Sequence, residues 1–121
     1  MKKKAILICL SFMLSNGVIA NQIAAPRLTV KTLIAHYSGQ IGTPFHEQSA
    51  DAILKIQLAD GYLAGVADST QGKNWCDKGK VKVDEINSMV VAELRKLSAK
   101  DQNQSAAHAA IKILESKFPC K

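Results

Sequence analysis

ILKIQLADGYLAGVADSTQGKNWC, residues 53–76, reads as one long helix closed by a glycine and followed by a Trp-Cys loop. At 100° per residue Ala52, Ile56, Ala59, Leu63, Val66 and Ala67 gather on one side, and Leu54, Leu58, Gly61 and Gly65 nearly opposite. Asp51 and Lys55 form one polar strip between the two sides, and Gln57, Asp60 and Asp68 the other. A helix apolar on two faces is normally packed on both, which makes this the core helix of a small α-helical domain. Ser49 or Asp51 can cap its start, and Gly72 suits the left-handed residue after its end near Gln71. Gly61 and Gly65 each cost about 1 kcal/mol relative to alanine, so packing must offset them, and their spacing admits a close neighbouring helix.

The flanking segments repeat the helical period. Thr29 is a candidate cap, and Val30, Leu33, Ile34 and Tyr37 form one stripe that Gly39 ends. Residues 39–49, with Gly39, Gly42 and Pro44, read as a loop whose Ile41 and Phe45 tuck into the core. A polar loop over 73–82 carries Trp75 and Cys76. A third helix spans about Val83 to Leu97, with Val83, Ile86, Val90, Leu94 and Leu97 inward, Asp84 and Glu85 in the first turn and Arg95 and Lys96 in the last. SAKDQNQ, Ser98 to Gln104, has no large apolar residue and is an exposed loop. The last helix runs from about Ser105 to Lys117 before Pro119, burying Ala106, Ala110, Ile111, Ile113, Leu114 and Phe118, with His108, Lys112 and Glu115 outward. The fold class is all-α, a compact bundle of about four helices.

The 121 residues suffice for one domain. Residues 1–20 read as a signal peptide, with Lys2 to Lys4 as the charged region, Ala5 to Leu14 as the apolar region and cleavage after Ala20, leaving a single domain over 21–121. The apolar run is too short to span a bilayer, and Ile8 before Cys9 does not fit lipid attachment. Three lysines leave with the signal, so sixteen basic residues become thirteen against ten acidic, net +3. That charge is scattered and not interleaved with aromatic residues, which argues against nucleic acid. Export without a disulfide-dense cysteine pattern points to a bacterial periplasm and to no membrane association after cleavage. Cys9 is lost with the signal, and the remaining Cys76 and Cys120 are expected to form one disulfide.

Little in the chain suggests catalysis. His36, His46 and His108 have no ligand partner at i+3 or i+4, and no Cys-x-x-Cys lies nearby, so neither metal nor cofactor is expected. Asp60 and Asp68 stand about 12 Å apart along the helix, too far for a catalytic carboxylate pair. Structural roles suit them better, Asp68 bonding backbone in the Trp-Cys loop and Asp60 pairing with Arg95 or a neighbouring lysine. With no phosphate loop, nucleophile elbow or HExxH, the residues describe a binding module and no enzyme. Two binding functions fit: a toxin-neutralising inhibitor, or a periplasmic adaptor or small-ligand carrier using the apolar surface between helices.

Asp60-Gly61-Tyr62-Leu63-Ala64-Gly65-Val66-Ala67-Asp68, then Trp75-Cys76, the helix from Val81 to Leu97 and the closing Phe118-Pro119-Cys120 together resemble the immunity proteins of type VI secretion amidase effectors, the Tai/Rap family. The resemblance covers about Gln57 to Cys120. It implies a periplasmic, all-helical homodimer that protects its producer from a peptidoglycan amidase, a papain-like cysteine hydrolase delivered by neighbouring cells. It further implies inhibition by occlusion, an exposed loop entering the enzyme's cleft, and that the family cysteines correspond to Cys76 and Cys120. By position the loop is SAKDQNQ, placing Ser98, Lys100, Asp101, Gln102, Asn103 and Gln104 at the contact, with the third helix of a second subunit assisting. The same residues would also serve as a plain solvated connection between helices. Gly61, Gly65, Asp68 and Trp75 are structural in this reading. Lys82 stands where relatives often carry a hydroxyl cap, a role Asp84 is expected to take over.

Overall fold

The computed structural model describes residues 26–38, 42–79 and 81–121. The signal-peptide and cleavage readings, Gly39 and Ile41 lie outside them. Four α-helices, α1 (Val30–Ser38), α2 (Ala50–Thr70), α3 (Val83–Leu94) and α4 (Ala106–Lys117), make an all-α bundle, with short 3-10 turns at Phe45–Glu47 and Asp101–Asn103. Local chemistry starts each helix. Thr29 Oγ1 accepts from Thr32 N at 3.2 Å, Ser49 Oγ from Ala52 N at 3.2 Å and Ser105 Oγ from His108 N at 3.4 Å. At α3 the cap is one-sided, because a lysine side chain can only donate. Lys82 N donates to Glu85 Oε2 at 3.2 Å, so Glu85 and not Asp84 takes the capping role.

α2 is central, touching α1, α3 and α4. Its Ala59, Leu63 and Ala67 are buried against Val30 and Leu33 of α1, Ile86, Val90, Val91 and Leu94 of α3, and Ala106, Ala109, Ala110 and Leu114 of α4. The small residues on α2 and α4 let these helices close on the larger side chains of α1 and α3. The opposite face of α2 departs from the two-sided expectation. Leu54 is 64% and Leu58 60% exposed, and a Cβ built on Gly61 or Gly65 would meet nothing within 4 Å. No described helix covers that face. Phe45 is 73% exposed and does not tuck into the core, since its short turn is held only by local bonds. Val83, in the first turn of α3, is also exposed at 57%.

The Trp-Cys loop is clamped at both ends. Gly72, at φ 77°, turns the chain so that its N–H donates to Trp75 O at 2.7 Å. Trp75 is buried at 1%, with Nε1 donating to Ala67 O and Thr70 Oγ1, both at 3.1 Å, and its ring 5.8 Å from that of Phe118. The Cys76–Cys120 disulfide is present, with Cα atoms 4.9 Å apart, and beside it Cys76 N donates to Phe118 O at 2.9 Å. Asp68 is exposed and its carboxylate bonds no backbone of this loop among the described residues; Thr70 steadies the turn instead.

Asp60 pairs with neither Arg95 nor a lysine among the described residues. Its Oδ1 accepts from Tyr37 Oη at 2.6 Å and from Asn87 Nδ2 at 3.4 Å, and its backbone oxygen also accepts from Asn87 at 3.2 Å. One carboxylate thus ties α1, α2 and α3 together. Burial, then the Asp60 hydrogen bond and charge, raise the Tyr37 phenol well above its ordinary value.

Candidate functional site

The expected contact loop begins where α3 tightens. The helix ends at Leu94, three residues before the expected Leu97, and Lys96 N to Glu93 O and Leu97 N to Leu94 O, at 3.1 and 3.2 Å, close shorter turns. Ser98 then organises the loop itself. Its Oγ donates to Asp101 Oδ2 at 2.7 Å and accepts from Asp101 N at 3.2 Å. Gln102 Nε2 reaches back to Leu97 O at 3.0 Å, and Asn103 Nδ2 to Ala99 O at 3.4 Å. From the other side α1 holds the exit: Val30 N donates to Gln104 O at 3.1 Å and Ala106 N to Leu28 O at 2.9 Å, around an antiparallel bridge between Thr29 and Ser105. Residues 98–104 are therefore a pre-shaped knob, with little ordering entropy left to lose on binding.

The six expected contact residues divide by what their side chains are already doing. Ser98 and Asp101 bond each other, and Gln102 is half-buried in its bond to Leu97. Gln104 is half-buried and lines a hollow beside the loop. Lys100 is exposed and without an ion pair among the described residues, and Asn103 is exposed and held only by its long bond to Ala99. Ser98 and Asp101 are exposed as well but are taken up with each other, which leaves Lys100 and Asn103 as the exposed polar side chains least committed within the loop.

Beside the knob lies a hollow of about 330 Å³ between the end of α3 and α4, lined among others by Glu93, Leu97, Lys112, Ile113 and Lys117. Glu93 accepts from Lys96 at 3.0 Å and Lys117 at 3.1 Å. The Lys96 hydrogen bond first, and the Lys117 bond second, hold its carboxyl below the ordinary glutamate range. Lys112 is exposed and has no ion pair among the described residues. With Lys100 this end carries four lysines against Glu93 and Asp101. None of the lysines outside the loop stands out as a contact in the sequence, although Glu93-x-x-Lys96 has helical ion-pair spacing. Ser98-x-x-Asp101 matches a capping pattern that is likewise readable.

None of the three described histidines joins a set of three His, Cys, Asp or Glu residues able to hold a metal, and among the described residues there is no such set. No described helix is long and apolar enough to cross a membrane.

A family model described as Rap1a immunity proteins matches residues 29–120. The chain belongs to this immunity-protein family. The match runs from the cap of α1 to the last cysteine, so it takes in all four helices, the disulfide and the 98–104 loop. It agrees with the Tai/Rap resemblance and implies a cognate effector as the partner of the immunity protein. No individual curated protein matches the chain.

Proposed function

We propose that this is a periplasmic immunity protein, exported by residues 1–20 as a cleavable signal peptide, that binds and inhibits a type VI secreted peptidoglycan amidase. The inhibitor contributes no chemistry of its own. The 98–104 knob occupies the amidase cleft and excludes its substrate. The observation that carries this is the internal bonding of the loop, Ser98 to Asp101 and Gln102 to Leu97, which holds an exposed polar segment in one shape on a helical frame. Lys100 and Asn103 lead into the cleft, where charge complementarity sets which amidase is recognised.

The same reading gives the protein as a homodimer. Support comes from the uncovered side of α2, where Leu54 and Leu58 are exposed and Gly61 and Gly65 leave room for a second backbone. Isologous pairing of this face would bury the apolar side that no described helix covers.

The alternative, an adaptor or small-ligand carrier, would use the groove of about 610 Å³ between α2 and α3, lined by Ile56, Ala64 and Val83. Family membership favours the inhibitor. The test is inhibition of a type VI amidase effector, whose gene this reading expects beside that of the protein, by the intact protein and by one whose residues 98–104 are replaced with a Gly-Ser segment of equal length. The reading expects inhibition by the first only, with both proteins folded.

A further inference from the structure

The geometry points to the hollow between α3 and α4 as a second contact, a socket beside the knob that receives an apolar side chain of the effector flanked by carboxylates. This inference rests on the reading of residues 98–104 as the effector-binding loop. Gln104, the last residue of that loop, and Leu97, the residue just before its first, are also walls of the hollow, so a protein surface seated over the loop runs across it. Its volume of about 330 Å³ lies at the bottom of the range for small-molecule sites and suits one or two side chains rather than a cofactor.

The lining fixes the chemistry of the occupant. Leu97, Ala109 and Ile113 give an apolar floor, and neither the leucine nor the isoleucine is fully covered by the chain itself. The rim is cationic. Lys96 and Lys117 share the one carboxylate of Glu93, leaving an excess of positive charge there, and Lys112 adds a further ammonium with no ion pair among the described residues. By contrast the α2–α3 groove has Asp60 and Asp84 and no basic residue among its described lining. The two hollows thus differ in sign, and the one beside the loop is the basic one. Such a rim draws an acidic surface in and penalises a basic one, which acts on association rate and on choice of partner.

Three variants of the full mature protein test it by surface-based kinetics against the amidase at low and high salt. Lys112→Glu reverses the rim charge, Ser116→Trp plugs the hollow from an exposed helix position, and Lys82→Glu makes the same net-charge change at the far end of α3. Lys112→Glu is expected to raise Kd about 10-fold or more at low salt, chiefly through slower association, with a flatter salt dependence. Ser116→Trp is expected to weaken binding at both salts, and Lys82→Glu to change Kd no more than about twofold. Wild-type kinetics in both hollow variants, alongside lost binding on loop replacement, would overturn the socket and leave the loop reading standing. Retained binding on loop replacement would overturn the loop reading and this one with it. A changed oligomeric state in either hollow variant would overturn it too, by giving the hollow to a second copy.

Discussion

Tyr37→Phe removes one oxygen and tests the tie that joins three helices. In the wild type the phenol donates to Asp60 Oδ1 at 2.6 Å, while Asn87 reaches the same oxygen only at 3.4 Å. A hydrogen bond to an ionised group contributes about 1.5–3 kcal/mol. Asp60 is half-buried and keeps Asn87, so the lower half of that range applies, about 1.5–2 kcal/mol. In urea unfolding at pH 7 the midpoint should fall with the slope unchanged. The pH dependence adds a second signature. Burial first, then Asp60, raise the Tyr37 phenol in the folded protein, whereas in the unfolded chain it titrates near the ordinary tyrosine value of about 10. The stability it contributes is therefore fully present below about pH 10 and is lost as pH rises above it, by at most about 1.4 kcal/mol per pH unit. The phenylalanine variant has no such loss, so the gap between the two proteins should shrink from about pH 9.5 to about pH 11. Equal stability at pH 7, or a gap that stays constant across the alkaline range, would show that the Tyr37–Asp60 bond does not hold the three helices together.

Other perturbations address the clamp, the loop and the uncovered face. Reducing Cys76–Cys120 frees a loop of 44 residues' separation and should lower unfolding free energy by about 4 kcal/mol by chain entropy, read by urea titration with and without reductant; a loss under about 1 kcal/mol would mean the Trp75–Phe118 contact and Cys76–Phe118 hydrogen bond suffice alone. Ser98→Ala removes both bonds to Asp101 and should leave global stability within about 1 kcal/mol, while amide exchange across 99–104 quickens and amidase affinity drops about 10-fold. Unchanged exchange there would show that Ser98 does not hold the loop. Leu58→Asp, at a position 60% exposed, should convert a dimer to a folded monomer in sedimentation analysis. A wild-type protein that is already monomeric, or a variant that remains dimeric, removes α2 as the interface.

The four helices were legible because each carries an apolar stripe at helical spacing next to a capping group, and Thr29, Ser49 and Ser105 cap as their positions suggest. The disulfide followed from the expectation that removal of residues 1–20 leaves two cysteines, and the structure contains it. What failed was long-range. Leu54 and Leu58 have the period of a buried face, but periodicity records that a face is apolar and not what covers it. Phe45 misled in the same way, since a large apolar side chain in a loop suggests burial until the loop's position is known. The partners of Asp60 lie 23 and 27 residues away, at Tyr37 and Asn87, where no local spacing announces them. In the loop, composition conveyed exposure, but only the fold separates the side chains used internally, Ser98, Asp101 and Gln102, from Lys100 and Asn103.

In the proposed mode of inhibition residues 98–104 close the amidase cleft. Its most direct measurement is the rate of peptidoglycan stem-peptide cleavage by the cognate amidase, titrated with the intact protein and with the Gly-Ser loop replacement, each first checked for helical content and oligomeric state. Stoichiometric inhibition is expected from the intact protein, and cleavage at the uninhibited rate with the replacement. Equal inhibition by both folded proteins would contradict it.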